Sequence, residues 1–115
     1  MLSILIPTYN YNITRLATEL HRQAMDSGID FELIVIEDGS DKFIAENKLI
    51  GRLENCKYIA LKENIGRSAI RNKLADEAKD EHLLFLDCDA DLSLTGNSTS
   101  GLPFVLRGSK LRLRA

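Results

Sequence analysis

Apolar and polar positions along this chain fall into two alternating kinds of run. Short aliphatic runs stand at Leu2–Ile6 (L-S-I-L-I), Phe31–Ile36 (F-E-L-I-V-I), Lys57–Leu61 (K-Y-I-A-L) and Leu83–Leu86 (L-L-F-L). Each is too short for a buried helix and is bounded by polar or turn residues, the pattern of strands buried on both faces of a parallel sheet. Between them the spacing becomes helical. Ile13, Leu16, Ala17, Leu20 and Ala24 predict a helix that Asn12 can cap and Gly28 ends. Phe43, Ile44, Leu49, Ile50 and Leu53 predict a second helix over Lys42–Leu53, with the acidic turn Glu37–Asp41 able to cap it. Ile70, Leu74 and Ala78 predict a third over Ser68–Lys79. Pro7, which has no N–H to donate, is expected to close the first strand.

The order β-α-β-α-β-α-β predicts an α/β fold: a Rossmann-like three-layer sandwich with a mainly parallel sheet in strand order 3-2-1-4. Strands 1 and 4 are then neighbours, and the winding reverses between them. Open α/β sheets bind ligands at that point, outside the carboxyl ends of the strands. The order gathers Thr8-Tyr9-Asn10 after strand 1, Asp38 after strand 2, Asn64–Gly66 after strand 3 and Asp87-Cys88-Asp89 after strand 4. Alternation along an extended backbone puts Asp87 and Asp89 on one side, where two hard oxygen donors favour a divalent cation. A flat aromatic, an acceptor carboxylate and a cation-binding pair are the parts a nucleoside diphosphate needs.

Composition narrows the class. At 115 residues the chain is one domain at most, and 44% hydrophobic with 28% charged residues is ordinary for a globular protein. No run approaches the roughly 20 apolar residues that span a bilayer, and no basic leader precedes Leu2. The expected address is cytoplasmic, with peripheral attachment at the inner membrane face as the other option. Cys56 and Cys88 have no metal or redox spacing and are expected to be reduced. The net charge of −2 is uneven: all 17 acids and all but four of the 15 basic residues precede Leu92. The four tail charges, Arg107, Lys110, Arg112 and Arg114, are too sparse to make nucleic acid an expected partner.

Four segments carry a family resemblance: Ser3–Asn10 (S-I-L-I-P-T-Y-N), Glu32–Ser40 (E-L-I-V-I-E-D-G-S), Asn64-Ile65-Gly66 with Ala69-Ile70-Arg71-Asn72, and Phe85–Asp89 (F-L-D-C-D). Together, in order and at strand ends, they resemble the signatures of the family 2 inverting glycosyltransferases, with a fold of GT-A type. The resemblance covers about residues 2–91, the nucleotide-sugar half of that fold. It implies that Tyr9 stacks on the base, that Pro7 and Thr8 shape its loop, and that Asp38 accepts from the base. Asn64, Gly66 and Arg71 match the segments next to the donor, with Arg71 or Arg67 approaching the diphosphate. Asp87 faces the ribose side, and Asp89 binds the Mn²⁺ or Mg²⁺ that serves as Lewis acid. The implied partners are a nucleotide-diphosphate sugar, UDP-sugar favoured, and a glycan or lipid-linked acceptor.

The departure lies after Asp91. Family members place the catalytic base in an acceptor half well beyond the Asp-x-Asp, and no Asp, Glu or His occurs between Leu92 and Ala115. The chain therefore divides into a nucleotide-sugar-binding half-domain, 1–91, and a non-family tail, 92–115, of truncated, frameshifted or vector origin. Transfer by this chain itself is not expected. The alternatives are a non-catalytic nucleotide-binding fragment and a haloacid-dehalogenase-like phosphatase, whose nucleophile strand also ends in Asp-x-Asp. A missing half leaves strand 4 as an open edge unless the tail or a second chain covers it, so a homodimer through that edge is a further expectation.

Overall fold

The computed structural model describes residues 2–79, 82–86 and 111–113. Four parallel strands, β1 (Leu2–Thr8), β2 (Phe31–Glu37), β3 (Cys56–Ala60) and β4 (His82–Phe85), stand in the order β3-β2-β1-β4. A fifth, β5 (Leu111–Leu113), pairs antiparallel with β4, His82 opposite Leu113. The α/β class and the 3-2-1-4 order follow the sequence pattern. Strand alternation sorts the core into two layers. Ile4, Ile6, Leu33, Val35 and Leu84 pack with Leu16, Ala17, Leu20 and Ala24 of helix α1 (Thr14–Ser27). Leu5, Ile34, Ile36 and Leu83 face the other way, onto Ile70 and Leu74 of the later helix α3 (Arg67–Glu77). Gly28 closes α1 in the left-handed conformation at φ 68°, its N–H donating to the Met25 carbonyl.

Two local expectations are corrected here. The second helix is not continuous over Lys42–Leu53: α2 covers only Ile44–Asn47, and a 3₁₀ turn follows over Lys48–Arg52. Phe43, left-handed at φ 63°, blocks an earlier start. The apolar spacing there does not mark a core face, because Phe43, Ile44 and Leu49 are exposed, while Ile50 and the polar Asn47 are buried. Pro7 does not close β1, which runs on to Thr8. The Leu5 carbonyl accepts from Leu86 N–H on the β4 side, and by alternation the Pro7 nitrogen faces the same side. Its missing N–H ends the β4 ladder, while the Thr8 carbonyl still accepts from Asp38 N–H across β2. The β4 edge is covered by the tail, one of the two covers expected for it: β5 lies against it.

Candidate functional site

A cleft of about 410 Å³ opens where β1 and β2 end and α3 begins, lined by Pro7, Thr8, Tyr9, Tyr11, Asp38, Asn64, Gly66, Arg67, Ile70 and Arg71. Its lining comes from three segments that are remote in sequence and that only the parallel crossovers bring to one rim. Asp38 is the joint between them. It follows β2 and is almost fully buried, and its two carboxylate oxygens accept from Ile65 N–H (2.7 Å) and Gly66 N–H (3.2 Å). The Asn64 side chain closes the same joint, Nδ2 donating to the Asp38 carbonyl at 3.0 Å. The expected cap role of this turn is therefore corrected: α2 has no side-chain cap, and Asp38 holds the loop that leads into α3. Each Asp38 oxygen retains acceptor capacity beyond its one backbone donor.

The other walls are of three kinds. Tyr9 and Tyr11, both largely exposed, present two aromatic rings on one loop. Thr8 is 2% exposed, and among the described residues its Oγ1 has no hydrogen-bond partner. Arg67 and Arg71, one helical turn apart, both reach the cleft, and the Arg71 guanidinium lies 4.5 Å over the Phe85 ring. That ring fixes the cation beside the end of β4. Face, acceptor and paired cations complement a planar base joined to a polyanion.

Beneath the aromatic loop lies a buried polar cluster that periodicity does not announce. Glu37, the last residue of β2 and 1% exposed, accepts from Ser40 Oγ (2.9 Å), Asn47 Nδ2 (3.1 Å) and Tyr58 Oη (2.8 Å). Burial, with the carboxylate as a second cause, pushes the Tyr58 phenol well above its ordinary value of 10.0, so it stays a neutral donor. Asn47 also donates to the Tyr11 carbonyl at 2.8 Å and accepts from Ile13 N–H at 3.0 Å. Asn12, expected to cap α1, does not occupy the cap: the N-cap is Ile13, without a side-chain cap, and Asn12 Oδ1 one residue earlier accepts from Thr14 N–H and Oγ1. The sequence offered Glu37 only as part of the acidic turn and of the Glu32–Ser40 segment; its partners are invisible to spacing.

Of the expected site residues, Pro7, Thr8, Tyr9, Asp38, Asn64, Gly66 and Arg71 meet in this cleft. Tyr11 and Arg67 join them. Asp87 and Asp89 lie outside the described residues, as do Cys88 and Asp91. Among the described residues no group of three or more His, Cys, Asp or Glu is placed to hold a metal, and no helix is long and apolar enough to cross a membrane.

The profile of the family described as Glycosyl transferase family 2 matches residues 3–93. The chain belongs to glycosyl transferase family 2. Solved structures agree with that membership. TarS 1–349 of S. aureus, in complex with UDP-GlcNAc, is similar at 32% identity and a TM-score of 0.64, over 76% of this chain and 26% of that one. A further S. aureus TarS structure is similar at 30% identity and a TM-score of 0.57, over 76% of this chain and 16% of the other. The mannosyltransferase PcManGT from Pyrobaculum calidifontis, in complex with GDP-Man and Mn²⁺, shares the fold at 18% identity and a TM-score of 0.61, over 77% and 27% of the two chains. No curated protein sequence matches the chain. The match spans about a quarter of the length of TarS 1–349. The fold of the chain is the GT-A, Rossmann-like arrangement of these neighbours, whose structures hold the nucleotide sugars UDP-GlcNAc and GDP-Man.

Proposed function

We propose that residues 1–91 form the donor half of an inverting, metal-assisted glycosyltransferase that takes a nucleotide-diphosphate sugar, UDP-sugar in preference. The observation that carries this is the single cleft in which Tyr9, Asp38 and Arg71 meet. Tyr9 stacks on the base. Asp38, an acceptor pinned by two backbone donors, takes the imide N–H that uracil offers. The UDP-GlcNAc held by TarS supports that choice of base. Arg71, steadied on Phe85, and Arg67 meet the diphosphate. Asn64 and Gly66 shape the donor side, and Pro7 and Thr8 shape the base loop.

The divalent cation, Mn²⁺ or Mg²⁺, fits the donor set that follows β4. Leu86 is held to the Leu5 carbonyl at 3.0 Å beside the cleft, and Asp87 and Asp89 follow it with oxygen donors that suit a hard cation. Asp89 would hold the ion and Asp87 face the ribose; when bound, the ion neutralises charge on the leaving diphosphate. The acceptor is a glycan or lipid-linked hydroxyl. This polypeptide itself binds donor without transferring it, because no Asp, Glu or His after Asp91 is available as base. The phosphatase reading of Leu83–Asp91 draws no support from the family match.

The test is calorimetric and thermal titration with UDP, GDP and ADP, each with and without Mn²⁺, on the chain and on Asp89→Ala. UDP with Mn²⁺ is expected to raise Tm most; ligand at about 100 times Kd stabilises by about 2.7 kcal/mol. Asp89→Ala is expected to remove the Mn²⁺ dependence. Failure of every nucleotide to bind overturns the donor reading, and sugar transfer by the chain overturns its inactivity.

A further inference from the structure

The aromatic loop has little apolar anchorage of its own. Tyr9 is 51% and Tyr11 43% exposed, and Asn10 between them is left-handed at φ 49°. Polar contacts hold it instead. Asn10 N–H donates to Ser40 Oγ at 2.9 Å, and Asn10 Oδ1 accepts from Asp41 and Lys42 N–H. The Tyr11 carbonyl and Ile13 N–H are both held by the Asn47 carboxamide. Ser40 and Asn47 meet on one group, the Glu37 carboxylate, which takes Ser40 on Oε1 and Asn47 and Tyr58 on Oε2.

Among the described residues, all three hydrogen-bond partners of this buried carboxylate are neutral donors. A buried carboxyl group is costly to hold, and an apolar side chain would pack in its place at lower cost. An apolar side chain, however, could not draw Ser40 and Asn47 onto fixed points beneath the loop. Because Asp38 follows Glu37 directly, the same turn of chain that sets the cleft acceptor also sets the aromatic wall opposite it.

We propose that Glu37 is a positioning residue for the base: its carboxylate, through Ser40 and Asn47, holds the Tyr9–Tyr11 loop in the binding geometry before ligand arrives. The proposal rests on the nucleotide reading of the cleft, and it assigns the base part of the affinity to a group that touches no ligand. Preorganisation of this kind acts on binding by removing the cost of ordering the loop.

The test uses the 115-residue chain as wild type, Glu37→Gln and Ser40→Ala, the last a milder change should the first fail to fold. Amide hydrogen exchange is followed at Asn10 and Ile13, with Leu33 and Leu86 as sheet references, and affinities are measured for UDP and for inorganic pyrophosphate. Exchange is expected to rise about tenfold at Asn10 in Ser40→Ala, and at both amides in Glu37→Gln, with the references unmoved. UDP affinity is expected to fall about tenfold and pyrophosphate affinity to stay within about twofold, since only the base uses the loop. Unchanged exchange at Asn10 in Ser40→Ala overturns the proposal, as does an equal loss of UDP and pyrophosphate affinity. A wild-type chain that binds pyrophosphate but no UDP overturns the base reading instead. It is told apart because the exchange data then decide by themselves whether Glu37 holds the loop.

Discussion

A methyl group at Gly39 would sit 2.4 Å from the Asn64 nitrogen and 2.6 Å from the Glu63 carbonyl carbon, and Gly39 already stands at φ +71°. The close approach of two backbones is what lets Asp38 reach Ile65 and Gly66. Gly39→Ala is therefore expected to cost about 2–3 kcal/mol through backbone strain and collision. For a domain of this size that lowers Tm by roughly 10 °C, readable by calorimetry, and weakens UDP binding because the Asn64–Gly66 wall is displaced. A Tm within about 2 °C of wild type would contradict the strain argument. At this scale the sequence named the acid and the glycine but not their task. The D-G-S triplet reads equally well as a helix cap, and only the position of Asn64 decides that it is a clasp between two loops.

Among the elements, α1 was legible almost to the residue because its apolar stripe, its glycine stop and its length agree. Its outer face carries a titration that can be tested. Arg22 holds Glu19 by hydrogen bonds from Nε and Nη2 and reaches Asp26 at 3.0 Å, and with Gln23 this draws the Glu19 carboxyl from its ordinary 4.5 down to about 2. An acid with a depressed folded value lends stability above its unfolded value and loses it as pH falls through the folded one. Arg22→Gln is thus expected to be less stable than wild type above pH 4.5, with the gap closing as pH falls to about 2. Arg22 is 58% exposed, so the gap is small and shrinks with added salt. Thermal unfolding of both chains at a series of pH values in low salt measures it; a gap that widens toward pH 2 would refute the assignment. The segment after β2 was less legible for a related reason. Its apolar residues mostly face outward, and the residue drawn inside is Asn47, whose partners lie on two other segments, Tyr11–Ile13 and the end of β2.

At the scale of the whole molecule, β5 changes what the sheet edge can do. Leu111–Leu113 takes the hydrogen-bonding edge of β4 that would otherwise recruit another strand. Deleting residues 92–115 is therefore expected to lower Tm and to convert the chain to concentration-dependent dimers or larger species over the micromolar range, as sedimentation would show. A deletion variant that stays monomeric with unchanged Tm would mean that β5 contributes nothing to the sheet. A homodimer through the β4 edge, expected when that edge is pictured bare, competes here with a strand of the same chain. The intramolecular strand holds the advantage of effective concentration.

Periodicity alone specified the four parallel strands, the helices α1 and α3, and the ends of the strands at which a ligand site would form. Those features arise from local patterning, where each residue's preference is set by neighbours a few positions away. The tertiary structure decided the rest: that Pro7 stays inside β1 and stops only the β4 ladder, that Asp38 clasps the loop before α3, that Arg71 rests on Phe85, and that Glu37 gathers three donors beneath the aromatic loop. Most of these depend on groups far apart in sequence, as Asp38 and Gly66 are at 28 residues, brought together by crossovers whose end points spacing along the chain does not encode.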